Sequence, residues 1–138
     1  MAVFRKLTLA AVVALAGGCV SQDPRFFACN RWVDRNMNQR IEPNEFEGRG
    51  SFMFRSSEDV TFVAHIVQPP GTRIGWQLRA PDGTIRGEGE GVQQEQDTVY
   101  RKAYSGRELI RTGGSGLWTV DWFVNGTLVG SSRAQVVR

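Results

Sequence analysis

The chain has little of the usual catalytic equipment. It contains one histidine, His65, and two cysteines, Cys19 and Cys29, in 138 residues. That supply leaves no Cys/His spacing of the kind that holds zinc. No Ser–His–Asp arrangement can be assembled around His65, and no glycine-rich phosphate loop is present. Nothing in this inventory points to an enzyme. Lysine is scarce too, with only Lys6 and Lys102, so nearly all the cationic charge is arginine. No basic stripe with interleaved aromatics occurs, and nucleic acid is not an expected partner. The apolar run "LTLAAVVALA", Leu7–Ala16, falls well short of the roughly 20 residues that span a bilayer as a helix.

What is present is an ordinary soluble composition, 41% apolar and 22% charged, with one domain's worth of length. Sixteen glycines and eight phenylalanines lean toward turns and strands. The short apolar run follows Arg5 and Lys6 and has the length and flanks of a secretory signal. It ends in "LAGGC". Small residues directly before Cys19 resemble the lipobox of bacterial lipoproteins, although Ala16 stands where that family usually has a larger aliphatic residue. The resemblance implies that residues 1–18 are a lipoprotein signal peptide, cut just before Cys19. It also implies that Cys19 carries a diacylglyceryl group and further acylation such as palmitate. Two or three acyl chains anchor stably, where one is marginal. Val20 stands where an aspartate would retain such a lipoprotein in the inner membrane, so the resemblance favours the outer membrane within the cell envelope. The alternative is cleavage after Ala16, which leaves Cys19 as a thiol able to bridge Cys29. With Cys19 lipidated, Cys29 in "FFACNRWV" is expected to be a buried thiol. Loss of Arg5 and Lys6 takes the formal net charge from +3 to +1.

After a short tether, "VSQDPRFF", the apolar residues Phe26, Phe27, Ala28, Cys29, Trp32 and Val33 fall at helical spacing. Asp23 and Pro24 suit a helix start. The spacing predicts a short helix over 24–33 running straight into Asp34. Gly48 and Gly50 then mark a linker. From Val60 the period becomes two. "VTFVAHIV" sets Val60, Phe62, Ala64 and Ile66 on one face, with His65 on the other. "RIGWQLRA" alternates Ile74, Trp76 and Leu78 with polar residues, and "GLWTVDWFV" turns Trp118, Val120, Trp122 and Val124 inward. "APDG" is a turn, "TIRGEGEGV" a glycine-rich edge strand, and Asn125–Gly126 a hairpin signal. Six or seven short strands with regular turns predict an antiparallel sandwich. "GLWTVDWFVNGTLVG" resembles immunoglobulin-like domains of bacterial surface proteins.

Residues 34–45, "DRNMNQRIEPNE", place oxygen-bearing side chains first, third, fifth, ninth and twelfth. A hard divalent cation takes six to eight oxygens at a nearly fixed radius. A short chain supplies them by curling around the ion. The spacing resembles the EF-hand loop. The resemblance implies calcium held by Asp34, Asn36, Asn38, the backbone carbonyl of Arg40, Glu42 and a bidentate Glu45, with a short helix leaving from Pro43. The sixth place, usually glycine because φ is positive there, is Gln39; a non-glycine in that conformation costs about 1 kcal/mol. Only three ligands carry formal charge, which suits the weak binding of extracellular modules, about 10⁻⁴ to 10⁻³ M. Ile41, lacking a paired loop, is expected to pack on the β domain or on a partner. The ion is expected to act as a structural clip. A metal-free polar turn is the alternative.

The division that follows is a signal peptide over 1–18, a tether and EF-hand-like segment over 19–50, and an Ig-like β-sandwich over 55–138. The expected fold class is mainly β, a sandwich preceded by a short helix–calcium loop segment. The expected function is a lipid-anchored envelope lipoprotein with one structural calcium, whose sandwich binds a protein partner in the envelope. Two alternatives stay open: a structural lipoprotein with a metal-free loop, and a carbohydrate-binding module using exposed tryptophans.

Overall fold

The computed structural model describes residues 25–42, 44–48 and 52–138. The expected signal peptide, residues 1–18, and the expected lipid site at Cys19 lie outside the described residues. The chain is mainly β. The elements among the described residues are β1 (Phe26–Cys29), β2 (Arg31–Trp32), β3 (Phe46–Glu47), β4 (Met53–Arg55), β5 (Asp59–Val67), β6 (Arg73–Arg79), β7 (Ile85–Val92), β8 (Asp97–Ser105), helix α1 (Gly106–Gly113), β9 (Gly116–Val124) and β10 (Thr127–Val137).

Two sheets pack face to face. One has the order β1-β5-β8, the other β4-β10-β9-β6-β7, and β2-β3 forms a separate small hairpin. The core between the sheets takes Val60, Phe62, Ala64 and Ile66 from β5, and Trp118, Val120 and Trp122 from β9. Alternation puts these residues on one side of each strand, and burying that side drives the two sheets together. The order is that of an immunoglobulin-like sandwich, with β1, β5 and β8 as strands A, B and E in one layer and β10, β9 and β6 as strands G, F and C in the other, flanked by the two further strands β4 and β7. Ser132 of β10 links the layers in the core. Its hydroxyl donates to the Val63 carbonyl at 2.6 Å and accepts the Trp122 indole N–H at 3.0 Å.

Three expectations are corrected. The described part of the segment expected as a helix over 24–33, from Arg25 on, forms strands β1 and β2 instead. All four residues of β1 are buried: Phe26 and Ala28 join the main core, while Phe27 and Cys29 face a second cluster with Phe46, Val63 and Val99. A strand buried on both faces reads as a continuous apolar run, which spacing alone does not separate from a helix. Among the described residues after the loop, 44–48, there is no helix; β3 returns alongside β2 instead. The sandwich is not wholly antiparallel, because β4 runs parallel to β10, with Met53 opposite Gln135. Residues 56–58 carry the chain from one sheet to the other, so β4 is not folded back onto a neighbour by a hairpin.

Helix α1 was not expected. Ser105 caps it by accepting the Glu108 N–H at 3.1 Å, and Leu109 is buried beneath it. The Ser105-x-x-Glu108 pattern is a capping-box signature that the strand periodicity around it obscures.

Candidate metal-binding loop

Loop 34–45 is the connection of the β2–β3 hairpin. The hairpin closes through the Asn30 N–H to the Glu47 carbonyl at 2.8 Å and the Val33 N–H to the Glu45 carbonyl at 2.8 Å. It lies on the outer face of the three-stranded sheet. Trp32 and Ile41 pack there against the cluster containing Phe27, Val63 and Val99. Ile41 thus rests on the β domain. The loop that the sequence places between two helices is held by two short strands.

Its internal bonding follows the oxygen spacing. The Asp34 carboxylate accepts the N–H of Asn38 at 3.2 Å and of Gln39 at 2.7 Å. The Asn36 oxygen accepts the Asn38 N–H at 3.2 Å, and the Asn38 oxygen the Arg40 N–H at 2.9 Å. These bonds wind the backbone around the side-chain oxygens and leave each oxygen further lone pairs. Gln39 has φ +62 and Met37 φ +56. The sixth place therefore adopts the left-handed conformation that glycine usually supplies.

Glu42 is bound by two amides, Asn36 Nδ2 at 3.0 Å and Asn38 Nδ2 at 2.6 Å. The first, third, fifth and ninth positions are thus linked into one network. The Nδ2 groups take the role against Glu42 that a cation would take. Arg40 sends its guanidinium out of the loop to Glu95, at 3.2 Å. Its backbone is what remains for the loop.

Glu45 sits apart from this network. It is 2% exposed. Its carboxylate accepts the Arg35 N–H at 2.8 Å and the Trp32 indole N–H at 3.3 Å. Among the described residues no arginine, lysine or histidine forms an ion pair with it. A buried carboxylate met only by neutral donors is costly, and such groups are ordinarily paired or bound to a metal. The Arg101 guanidinium lies over the Trp32 ring, 4.8 Å from its centroid. Trp32 therefore connects Glu45 to strand β8. Among the described residues, no three His, Cys, Asp or Glu side chains converge tightly enough to hold a metal by themselves. The donor set also needs the two asparagines and a backbone carbonyl, which is the chemistry of a hard cation.

The other candidates separate clearly. Trp118 and Trp122 are buried in the core, at 0% and 1% exposure, so they offer no sugar platform. Trp76 is half-buried under the Lys102 ammonium, 4.1 Å from its ring centroid. His65 hydrogen-bonds Asp97 across the β5–β8 pair. That partner lies 32 residues away in sequence, and no local spacing announces it. Cys29 is buried. A cavity of about 580 Å³ lies between the loop and strand β8, lined by Arg40, Ile41, Glu42, Glu95, Asp97 and Tyr100 among others. Among the described residues no helix is long and apolar enough to cross a membrane.

No protein-family model matches the sequence, and no curated protein matches it. Among solved structures, the chain is similar to an immunoglobulin-like protein from Pseudomonas aeruginosa. The identity is 14%, over 81% of this chain and 89% of that one, with a TM-score of 0.47. It is also similar to part of an alkylpurine DNA glycosylase from Pseudomonas fluorescens, at 13% identity over 63% of this chain and 28% of that one, TM-score 0.40. A third likeness is to part of a β-glucosidase from Listeria innocua, at 12% identity over 79% of this chain and 22% of that one, TM-score 0.39.

Proposed function

We propose that this protein is an envelope lipoprotein whose immunoglobulin-like sandwich carries one structural calcium ion in loop 34–45. The sandwich serves as a protein-interaction module, held to the membrane by acylated Cys19. The ligands are Asp34, Asn36, Asn38, the Arg40 carbonyl, Glu42 and Glu45. The observation that supports this reading most is Glu45: a buried carboxylate, at the bidentate position of the loop pattern, that among the described residues meets two neutral donors and no cation. The positive φ of Gln39 supports it as well. The ion offsets the mutual repulsion of three carboxylates and clips the hairpin to the outer face of β5 and β8. It does not open a groove, because the loop has no paired partner loop.

Calorimetric titration of calcium into the mature chain tests the metal. Heat of binding in the range of about 10⁻⁴ to 10⁻³ M, lost in Asp34→Ala and Glu45→Gln, is the expected result. Absence of heat in the unaltered chain rejects it. A second reading, a metal-free loop, is favoured by the two amide bonds to Glu42, which close the loop without an ion. Incorporation of labelled palmitate, lost in Cys19→Ser, tests the anchor independently.

A further inference from the structure

Arg25, where the described chain begins, and the candidate loop lie at one end of the sandwich. Arg25, the first described residue, accepts the His65 N–H at its carbonyl at 2.7 Å, near the end of β5. The turns at this end are tied together. The Gln68 N–H donates to the Gln96 carbonyl at 2.9 Å, the Gln93 N–H to Thr72 at 2.8 Å, and the Asn125 N–H to Arg73 at 2.8 Å. Loop 34–42 belongs to the same end, because Arg40 pairs with Glu95 in the β7–β8 turn.

Exposed apolar surface gathers there. Met37 at the loop tip is 86% exposed, Val67 52%, Val92 55% and Val129 42%. Pro69 and Pro70 are exposed in the turn between β5 and β6. The remaining large exposed apolar residues among those described, Met53 and Ile85, lie at the opposite end. Met53 pairs with Gln135 late in β10, and Ile85 with Arg79 at the end of β6.

We propose that the end bearing Met37, Val67 and Val92 rests on the lipid surface, with these side chains entering the headgroup layer. The inference rests on the lipoprotein reading. Six peptide units separate Cys19 from Arg25, a reach of at most about 20 Å. The tether therefore enters the sandwich at the end it holds nearest the bilayer. So short a tether gives a high effective concentration at the surface, and contacts too weak to bind a free protein then suffice to orient a bound one. Charge at this end is mixed, with Arg40 paired to Glu95 and Asp97 lining the same cavity, so apolar contact rather than polybasic attraction sets the orientation. The opposite end, with β4 and α1, faces outward to the partner.

The test uses the full mature chain with Met37→Trp or Met53→Trp, on vesicles of phosphatidylethanolamine and phosphatidylglycerol containing brominated acyl chains. One preparation carries its natural acyl anchor; the other is coupled through the Cys19 thiol to a maleimide lipid. The native tryptophans contribute the same background to both variants. Quenching several-fold stronger at Met37→Trp than at Met53→Trp, in either preparation, is the expected result. Equal quenching, or stronger quenching at Met53→Trp, overturns the orientation. If mass spectrometry finds no acyl group on Cys19, the lipoprotein reading fails separately, and the maleimide arm still decides which end the tether turns toward lipid.

Discussion

Substituting Glu45→Gln distinguishes a metal ligand from a structural acceptor. Glu45 is 2% exposed and accepts from the Arg35 N–H at 2.8 Å and the Trp32 indole at 3.3 Å. Glutamine keeps the shape. Its amide nitrogen must face one of those two donors, and the lost hydrogen bond costs about 1 kcal/mol. Removal of a buried charge offsets that cost on a similar scale. In chelator, the variant is therefore expected to stay within about 1 kcal/mol of the wild type. Calcium changes the comparison. With a dissociation constant near 10⁻⁴ M and roughly 10 mM calcium, binding adds about 2.7 kcal/mol to the native state. For a domain of this size that corresponds to a rise in Tm of about 10 °C. The variant lacks the charged bidentate ligand and is expected to lose most of the rise. Scanning calorimetry in EDTA and in calcium reads both quantities. The two proteins should melt together in EDTA and well apart in calcium. A variant that is several kcal/mol weaker already in EDTA makes Glu45 a purely structural acceptor. A wild-type Tm indifferent to calcium refutes the reasoning altogether.

Three further outcomes follow from the fold. Gln93→Leu should cost about 3 kcal/mol in urea unfolding, because it strands buried partners: the Gln93 amide donates to the Ile66, Gln68 and Gln96 carbonyls at 3.2, 3.0 and 3.2 Å and accepts the Tyr100 hydroxyl at 2.8 Å. Ser132→Ala should cost about 2 kcal/mol, taking away the acceptor of the buried Trp122 indole N–H and one donor to the Val63 carbonyl, with a change in tryptophan emission as the second readout. Burial raises the phenol pKa of Tyr100 and Tyr104 above the ordinary 10.0. The unfolded chain therefore sheds these protons first, and stability that is fully present below pH 10 is lost as pH rises through the folded pKa values. Tyr100→Phe and Tyr104→Phe should flatten that alkaline decline in a pH series of melting curves.

The long strands were legible because their signals are local. Period-two alternation marks β5, β6 and β9, and the turn residues bound them. Asn125 and Gly126 take φ +49 and +80, as the hairpin type that Asn-Gly signals requires. The loop was legible for the same reason: Asp34, Asn36 and Asn38 bond backbone N–H groups two to five residues away. The β1 segment was not legible. Phe26–Cys29 carries apolar residues on both faces, and only the presence of cover on both sides makes it a strand. Strand β5 was marked by its alternation, but the burial of its outer face was not: Val63 is covered by the cluster that includes Phe46 of the hairpin, and Thr61 donates its hydroxyl to the Asn30 carbonyl.

The amino-acid sequence alone determined where the chain turns, which strands alternate, and the oxygen spacing of loop 34–45. Periodicity and φ preference act within a few residues, so they survive without knowledge of neighbours. Tertiary structure decided the rest. It placed the loop in a hairpin, buried Glu45, paired His65 with Asp97, and brought Arg25, the loop and three turns to one end of the sandwich. Those outcomes depend on which strands lie side by side. That choice is settled by the total burial and register of both sheets, a sum over residues far apart in the chain that no short window contains.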